Sequence, residues 1–91
     1  MTVNMKEFFY GCEELETVDL SNFKAKIISG ENMFCECLKL KKIDLSGLST
    51  TKDSKITTMF DKISSMEKKN LITKDQNILK AFVNKYSREN I

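Results

Sequence analysis

The sequence predicts an α/β repeat fold: a short solenoid with a small parallel sheet and a C-terminal capping helix. Three observations carry that expectation. Cys12-Glu-Glu-Leu-Glu-Thr-Val-Asp-Leu-Ser21 returns 25 residues later as Cys37-Leu-Lys-Leu-Lys-Lys-Ile-Asp-Leu-Ser46. The same offset aligns apolar residues on both sides, matching Val3 with Ile28, Phe9 with Phe34, Val18 with Ile43 and Phe23 with Leu48. An amphipathic stretch after Thr73 then breaks the pattern, as the terminal unit of a repeat stack must. A fixed offset between about 20 and 50 residues marks units that bury their apolar faces only against each other.

Each element follows from local pattern. Met5, Phe8 and Phe9 have the i, i+3, i+4 spacing of a helical face, so Val3 to Tyr10 reads as one or two helical turns ended by Gly11. Alternation in the Leu15–Leu20 stretch predicts a strand over 17–21, and its repeat predicts one over 42–46, parallel to the first. Ser21-Asn22 and Ser46-Gly47 are turns, with Phe23 and Leu48 packing back beneath, and Lys24-Ala-Lys26 is a polar link. The polar run 49–55 reads as a loop. Met59-Phe60 opens a degenerate third coil, 26 residues after Met33-Phe34, but Lys69 falls where Val18 and Ile43 should be buried. Met59, Phe60, Ile63 and Met66 also suit a helix, so 58–69 is expected to be helical, with a short extended Asn70-Leu-Ile72 after it. Thr73-Lys-Asp-Gln76 has the form of a capping box. Behind it Ile78, Leu79, Phe82, Val83 and Tyr86 form an apolar face, while Lys80, Asn84, Lys85 and Arg88 face water. The chain is thus one domain over 1–91, with coils at about 3–27, 28–53 and 54–72 and a cap at 73–88.

Composition narrows function. Apolar residues make up 41% and charged residues 31%, and no apolar run is long enough for a membrane span, so no membrane insertion is expected. Residues 1–23 carry one lysine against five acids, a net −4, and the remainder carries +6. The basic residues are scattered and not interleaved with aromatics, which argues against a nucleic-acid partner. No histidine occurs, so a Cys or Ser nucleophile would lack its usual base, and no Gly-rich phosphate loop is present. The expectation is a non-enzyme without cofactor or bound metal. Cys12 and Cys37 occupy equivalent positions, and coils about 4.8 Å apart lie within disulfide reach. The alternative is that both are small buried residues at a corner.

The motif Phe8-Phe9-Tyr-Gly-Cys-Glu-Glu-Leu-Glu-Thr-Val-Asp-Leu-Ser-Asn-Phe23, with Met33-Phe34 opening its repeat, closely resembles the BspA-like leucine-rich-repeat proteins. The second unit departs from the pattern, with Glu36 in the Gly slot, Gly47 in place of Asn22 and Leu48 in the closing Phe slot. The likeness covers about residues 3–48 and fades by 71, and the last helix carries no motif of the family. The resemblance implies a leucine-rich-repeat-like stack of short coils, and proteins of bacterial and protozoan surfaces that bind host proteins or other cells. It places the chain at a cell surface or in secretion. The residues before Gly11 are too few for a secretory signal, which places the chain in the cytoplasm if it is complete.

The leading functional expectation is a non-catalytic protein-binding module. Its face would carry Thr17, Asp19, Lys42 and Asp44, extended by Lys68 and Asn70 if the third coil forms. Parallel strands make a ruled, nearly flat surface suited to a protein ligand. Asp19 and Asp44 can equally serve backbone donors in the turns. The alternative function is self-association through the open, acidic N-terminal coil.

Overall fold

In Leu15–Leu20 and Leu40–Leu45 a single apolar residue, Val18 or Ile43, sits between two polar ones, so one side chain turns inward and its neighbours outward. The computed structural model describes the backbone of residues 1–89 and the side chains through Lys85. It forms strands β1 (Thr2–Asn4), β2 (Thr17–Asp19), β3 (Ala25–Ser29), β4 (Lys42–Asp44), β5 (Leu48–Ser49) and β6 (Leu71–Ile72), then helix α1 (Gln76–Glu89). The strands make two three-stranded parallel sheets, ordered β1-β3-β5 and β2-β4-β6. Each sheet draws one strand from each third of the chain up to residue 72 in the second case and up to residue 49 in the first.

The β2–β4 register keeps the 25-residue offset: Thr17 pairs with Lys42, Val18 with Ile43 and Asp19 with Asp44. Val18, Ile43 and Leu71 point into a core shared with Ile27, Leu40, Leu45 and Leu48. The other sheet was not expected. Ala25 and Lys26 of the polar link Lys24-Ala-Lys26, with the residues after them, form β3, whose side chains alternate between buried and exposed. Its pairing also slips: Val3 lies beside Ile27 and Asn4 beside Ser29, so Ile27 is buried and Ile28 faces solvent. A one-residue shift exchanges the faces of a strand, which is why the expected partnership of Val3 with Ile28 does not form.

The segment from Met5 to Cys12 is not helical. Phe8 N–H donates to Met5 O, Tyr10 N–H to Glu7 O and Cys12 N–H to Phe9 O, while the alternate amides of Glu7, Phe9 and Gly11 reach across to Glu31 O, Met33 O and Cys35 O, each at 2.9 Å. Left-handed residues turn the chain to make this possible: Glu7 and Asn32 at one position, Gly11, Glu36 and Lys62 at the other. The helical spacing of Met5, Phe8 and Phe9 is therefore a turn pattern, rewarded by hydrogen bonds to the next unit that a helix would forgo.

The same exchange corrects the helix expected over 58–69. Phe34 N–H donates to Met59 O, Glu36 N–H to Lys62 O and Ser64 Oγ to Leu40 O, the last at 2.6 Å. The segment runs as turns, then a 3-10 turn at Lys68–Asn70, then β6. Here the offset becomes 28, with Ile43 beside Leu71 and Asp44 beside Ile72. Leu71 takes the buried slot, and Lys69 stays exposed 3.7 Å from Glu67.

Phenylalanine rings run through the core in a stack. Phe9 and Phe34 centroids lie 5.4 Å apart, Phe34 and Phe60 5.7 Å, and Phe60 and Phe82 of α1 5.3 Å. Helix α1 is capped by Asp75 rather than by the Thr73 box: Asp75 Oδ1 accepts the Ile78 N–H at 3.0 Å, and Thr73 Oγ1 accepts the Asp75 N–H. Its inward face is Ile78, Ala81, Phe82 and Lys85, the i, i+3, i+4, i+7 set, whereas Val83 is exposed. Lys85 was expected in water but is buried, with Nζ 5.2 Å from the Phe82 ring centroid, since a lysine stem covers apolar surface well. The expectations for the Tyr86 and Arg88 side chains lie outside the described residues.

Gly47 is fixed by close approach. A Cβ there would stand 2.5 Å from Phe23 O and 2.9 Å from Ser21 O, both backbone atoms of the preceding unit. Gly47→Ala must push the units apart and is expected to lower unfolding free energy by about 1–3 kcal/mol, read as a reduced urea midpoint.

Candidate recognition face

Strand alternation places Thr17, Asp19, Lys42 and Asp44 on the outer side of the β2-β4-β6 sheet, with Val18 and Ile43 beneath. The third strand contributes Ile72, exposed beside Asp44. Lys68 and Asn70 were expected in this row from the 26-residue offset of Phe34 to Phe60, but the observed offset of 28, two residues more, carries them into the 3-10 turn before β6. Lys68 is exposed at its start and Asn70 half-buried at its end. The sequence reading took the offset from Phe34–Phe60 and extended it unchanged, which the extra residues between Phe60 and Leu71 defeat.

Both aspartates have local work. Asp19 Oδ1 accepts the Ser21 N–H at 2.9 Å and the Ser21 hydroxyl at 2.6 Å, and Asp44 Oδ1 accepts the Ser46 N–H at 3.0 Å. Each shapes the turn that follows its strand. Asn4 does the same for the Lys6 N–H after β1. That leaves Thr17, Lys42 and Ile72 as the members of the row whose side chains are directed to solvent without such a turn contact.

Beside the face, charge pairs cross from the first unit to the second. Glu14 meets Lys39 at 2.8 Å and Glu16 meets Lys41 at 3.0 Å. These partners are the residues that sequence reasoning missed, although opposite charges at the repeat offset were the signal. All four side chains are largely exposed, so the pairs fix relative placement more than they stabilise.

The Ser21 hydroxyl, then its N–H, with a smaller contribution from the Lys42 charge, holds the Asp19 carboxyl below the usual range. The hydrogen bond and charge of Lys41 do the same for Glu16. The folded form therefore binds fewer protons than the unfolded chain in acid, and the stability these groups contribute is full above their unfolded pKa and lost as pH falls through the folded one. The thermal midpoint is expected to drop between about pH 5 and pH 3, and Asp19→Asn should make that drop shallower.

The three thiols are free. Cys37 is buried, its thiol donates to Phe9 O at 3.0 Å, and burial pushes its pKa up. Cys12 is exposed, contrary to the buried-corner reading. A groove of about 440 Å³ lies between α1 and residues 50–57. Its Thr50 hydroxyl is bound to Asp75 and to the Asn77 amide, and Thr51 to Ser54. No group of three or more His, Cys, Asp or Glu placed to hold a metal occurs among the described residues. No helix among them is long and apolar enough to cross a membrane.

No protein-family model, curated protein or solved structure matches the chain. The class it falls in is the one its own geometry defines: an α/β protein of two parallel three-stranded sheets with a single C-terminal helix.

Proposed function

We propose that the chain is a short leucine-rich-repeat-like solenoid of the BspA-like kind, acting as a non-catalytic protein-recognition module at a cell surface. The observation that carries this reading is the β2-β4-β6 row, in which Thr17, Lys42 and Ile72 stand exposed on adjacent parallel strands. An apolar side chain on the strand next to a lysine, two residues along from it on the same face, suits a protein ligand, with Ile72 as the anchor and Lys42 as the selective contact. Asp19 and Asp44 support the face as turn-formers. The adhesive setting rests on the sequence resemblance alone.

Surface plasmon resonance of the immobilised 91-residue chain against a panel of purified extracellular-matrix proteins tests this. At least one ligand is expected to bind, and Lys42→Glu and Ile72→Asp should each weaken it by about tenfold or more with circular dichroism unchanged. Absence of binding across the panel, or binding indifferent to both substitutions, contradicts the reading.

A further inference from the structure

Equivalent positions in the first two units differ sharply in exposure. Met33 is 0% exposed and its counterpart Phe8 is 62%; Cys35 is 5% exposed and its counterpart Tyr10 is 46%. The second unit is covered because the first lies on it, and the outer side of the first unit carries the same kind of apolar surface with none of the described residues on it. Phe9 ends the parallel ring stack, with Phe34 5.4 Å away on one side and the exposed Phe8 ring meeting it edge-on at 4.9 Å.

The backbone repeats this asymmetry. Glu31, Met33 and Cys35 carbonyls accept from the first unit, whereas the equivalent carbonyls of Lys6, Phe8 and Tyr10 accept no hydrogen bond among the described residues. Strands β1 and β2 are both edge strands on this side. Acceptors at alternate residues, two parallel edges and an aromatic platform are thus presented together.

We infer that this end docks one further polypeptide segment of the chemistry of the chain's own second unit: extended and lysine-bearing, adding a parallel strand beside both β1 and β2 and an aromatic ring against the Phe8–Phe9 pair. Charge selects the occupant. Residues 1–23 carry a net −4, and with Glu14 and Glu16 paired to Lys39 and Lys41 of the second unit a net −2 remains on Lys6, Glu7, Glu13 and Asp19. A second copy fits poorly. Joined by the same ends, two copies would set carbonyl row against carbonyl row and net negative charge against net negative charge, and at the opposite end the ring stack is closed by Phe82 of α1. The inference does not depend on the recognition face.

The test places a copy of residues 28–52 directly before Val3 of the full chain, keeping the 25-residue spacing. A scrambled version of the same segment is the control. The native-order extension is expected to raise the thermal midpoint by at least about 5 °C over the control. Phe8→Asp should then remove most of that gain, while shifting the unextended chain far less. An equal midpoint for native and scrambled extensions, or an equal effect of Phe8→Asp in both backgrounds, overturns the inference. Sedimentation equilibrium of the unextended chain in reductant supplies a second readout. A monomer agrees with it, and a dimer abolished by Phe8→Asp would assign the surface to a second copy instead.

Discussion

Phe34→Ala is expected to leave the chain without a cooperative unfolding transition at room temperature. The ring is fully buried between Phe9 and Phe60, with planes 7° and 4° from theirs. Removing it forfeits the burial of a large side chain and opens a cavity, about 3–5 kcal/mol together, and breaks two ring contacts worth about 1 kcal/mol each. A chain of this length holds only about 5–10 kcal/mol in total. Urea titration followed by far-ultraviolet circular dichroism checks this. Phe34→Leu, which keeps most of the volume, should retain a transition at a lower midpoint, and Phe8→Ala, at the exposed end, should stay close to the parent.

Asp75→Ala should have the next largest effect, because one carboxylate joins the helix to the sheets. Oδ1 caps α1 through the Ile78 N–H, and Oδ2 accepts the Thr50 N–H at 2.8 Å while the Thr50 hydroxyl donates to the same group at 2.9 Å. The cap is worth about 1 kcal/mol, and the charge-assisted bonds to Thr50 about 1.5–3 kcal/mol, so a loss of about 3 kcal/mol is expected. Its signature is loss of helical ellipticity ahead of the global transition, as α1 lifts from Phe60. Asp75→Asn should retain part of the cap, and Thr50→Val should lose only the hydroxyl share of the second contribution, keeping the backbone N–H bond to Oδ2 and sparing the cap. Non-additivity in the Asp75→Ala, Thr50→Val cycle measures the link directly.

The parts legible in the sequence were those set by side-chain identity at a fixed offset. The β2–β4 pairing, Phe60 as successor to Phe34, the turn work of the aspartates and the terminal helix all follow from residues that recur in place. What failed depended on backbone partners. Met5 to Cys12 and 58–69 have helical apolar spacing, yet their amides bond to neighbouring units, a choice that periodicity does not register. Sheet β1-β3-β5 was hidden because Lys24 and Lys26 outweighed the alternation of Ala25, Ile27 and Ser29, whose outward positions tolerate lysine. Lys85 was misassigned because its charge was read and its stem was not. On the recognition face, Thr17, Asp19, Lys42 and Asp44 were placed by the repeat itself, while Ile72 replaced Lys68 and Asn70 once the third strand slipped. A change of offset from 25 to 28 leaves every residue type in the segment unaltered.

The central claim is that chain-equivalent segments pair side by side in parallel, with that change of offset at the third strand. Inter-strand proton contacts in a solution NMR spectrum test it most directly. The fold predicts α-proton to amide contacts joining the Thr17–Asp19 strand to Lys42–Asp44 in the Val18–Ile43 register, and joining Ile43 to Leu71. Unbroken sequential amide contacts from 58 to 69 with Lys69 set beside Ile43 would contradict it.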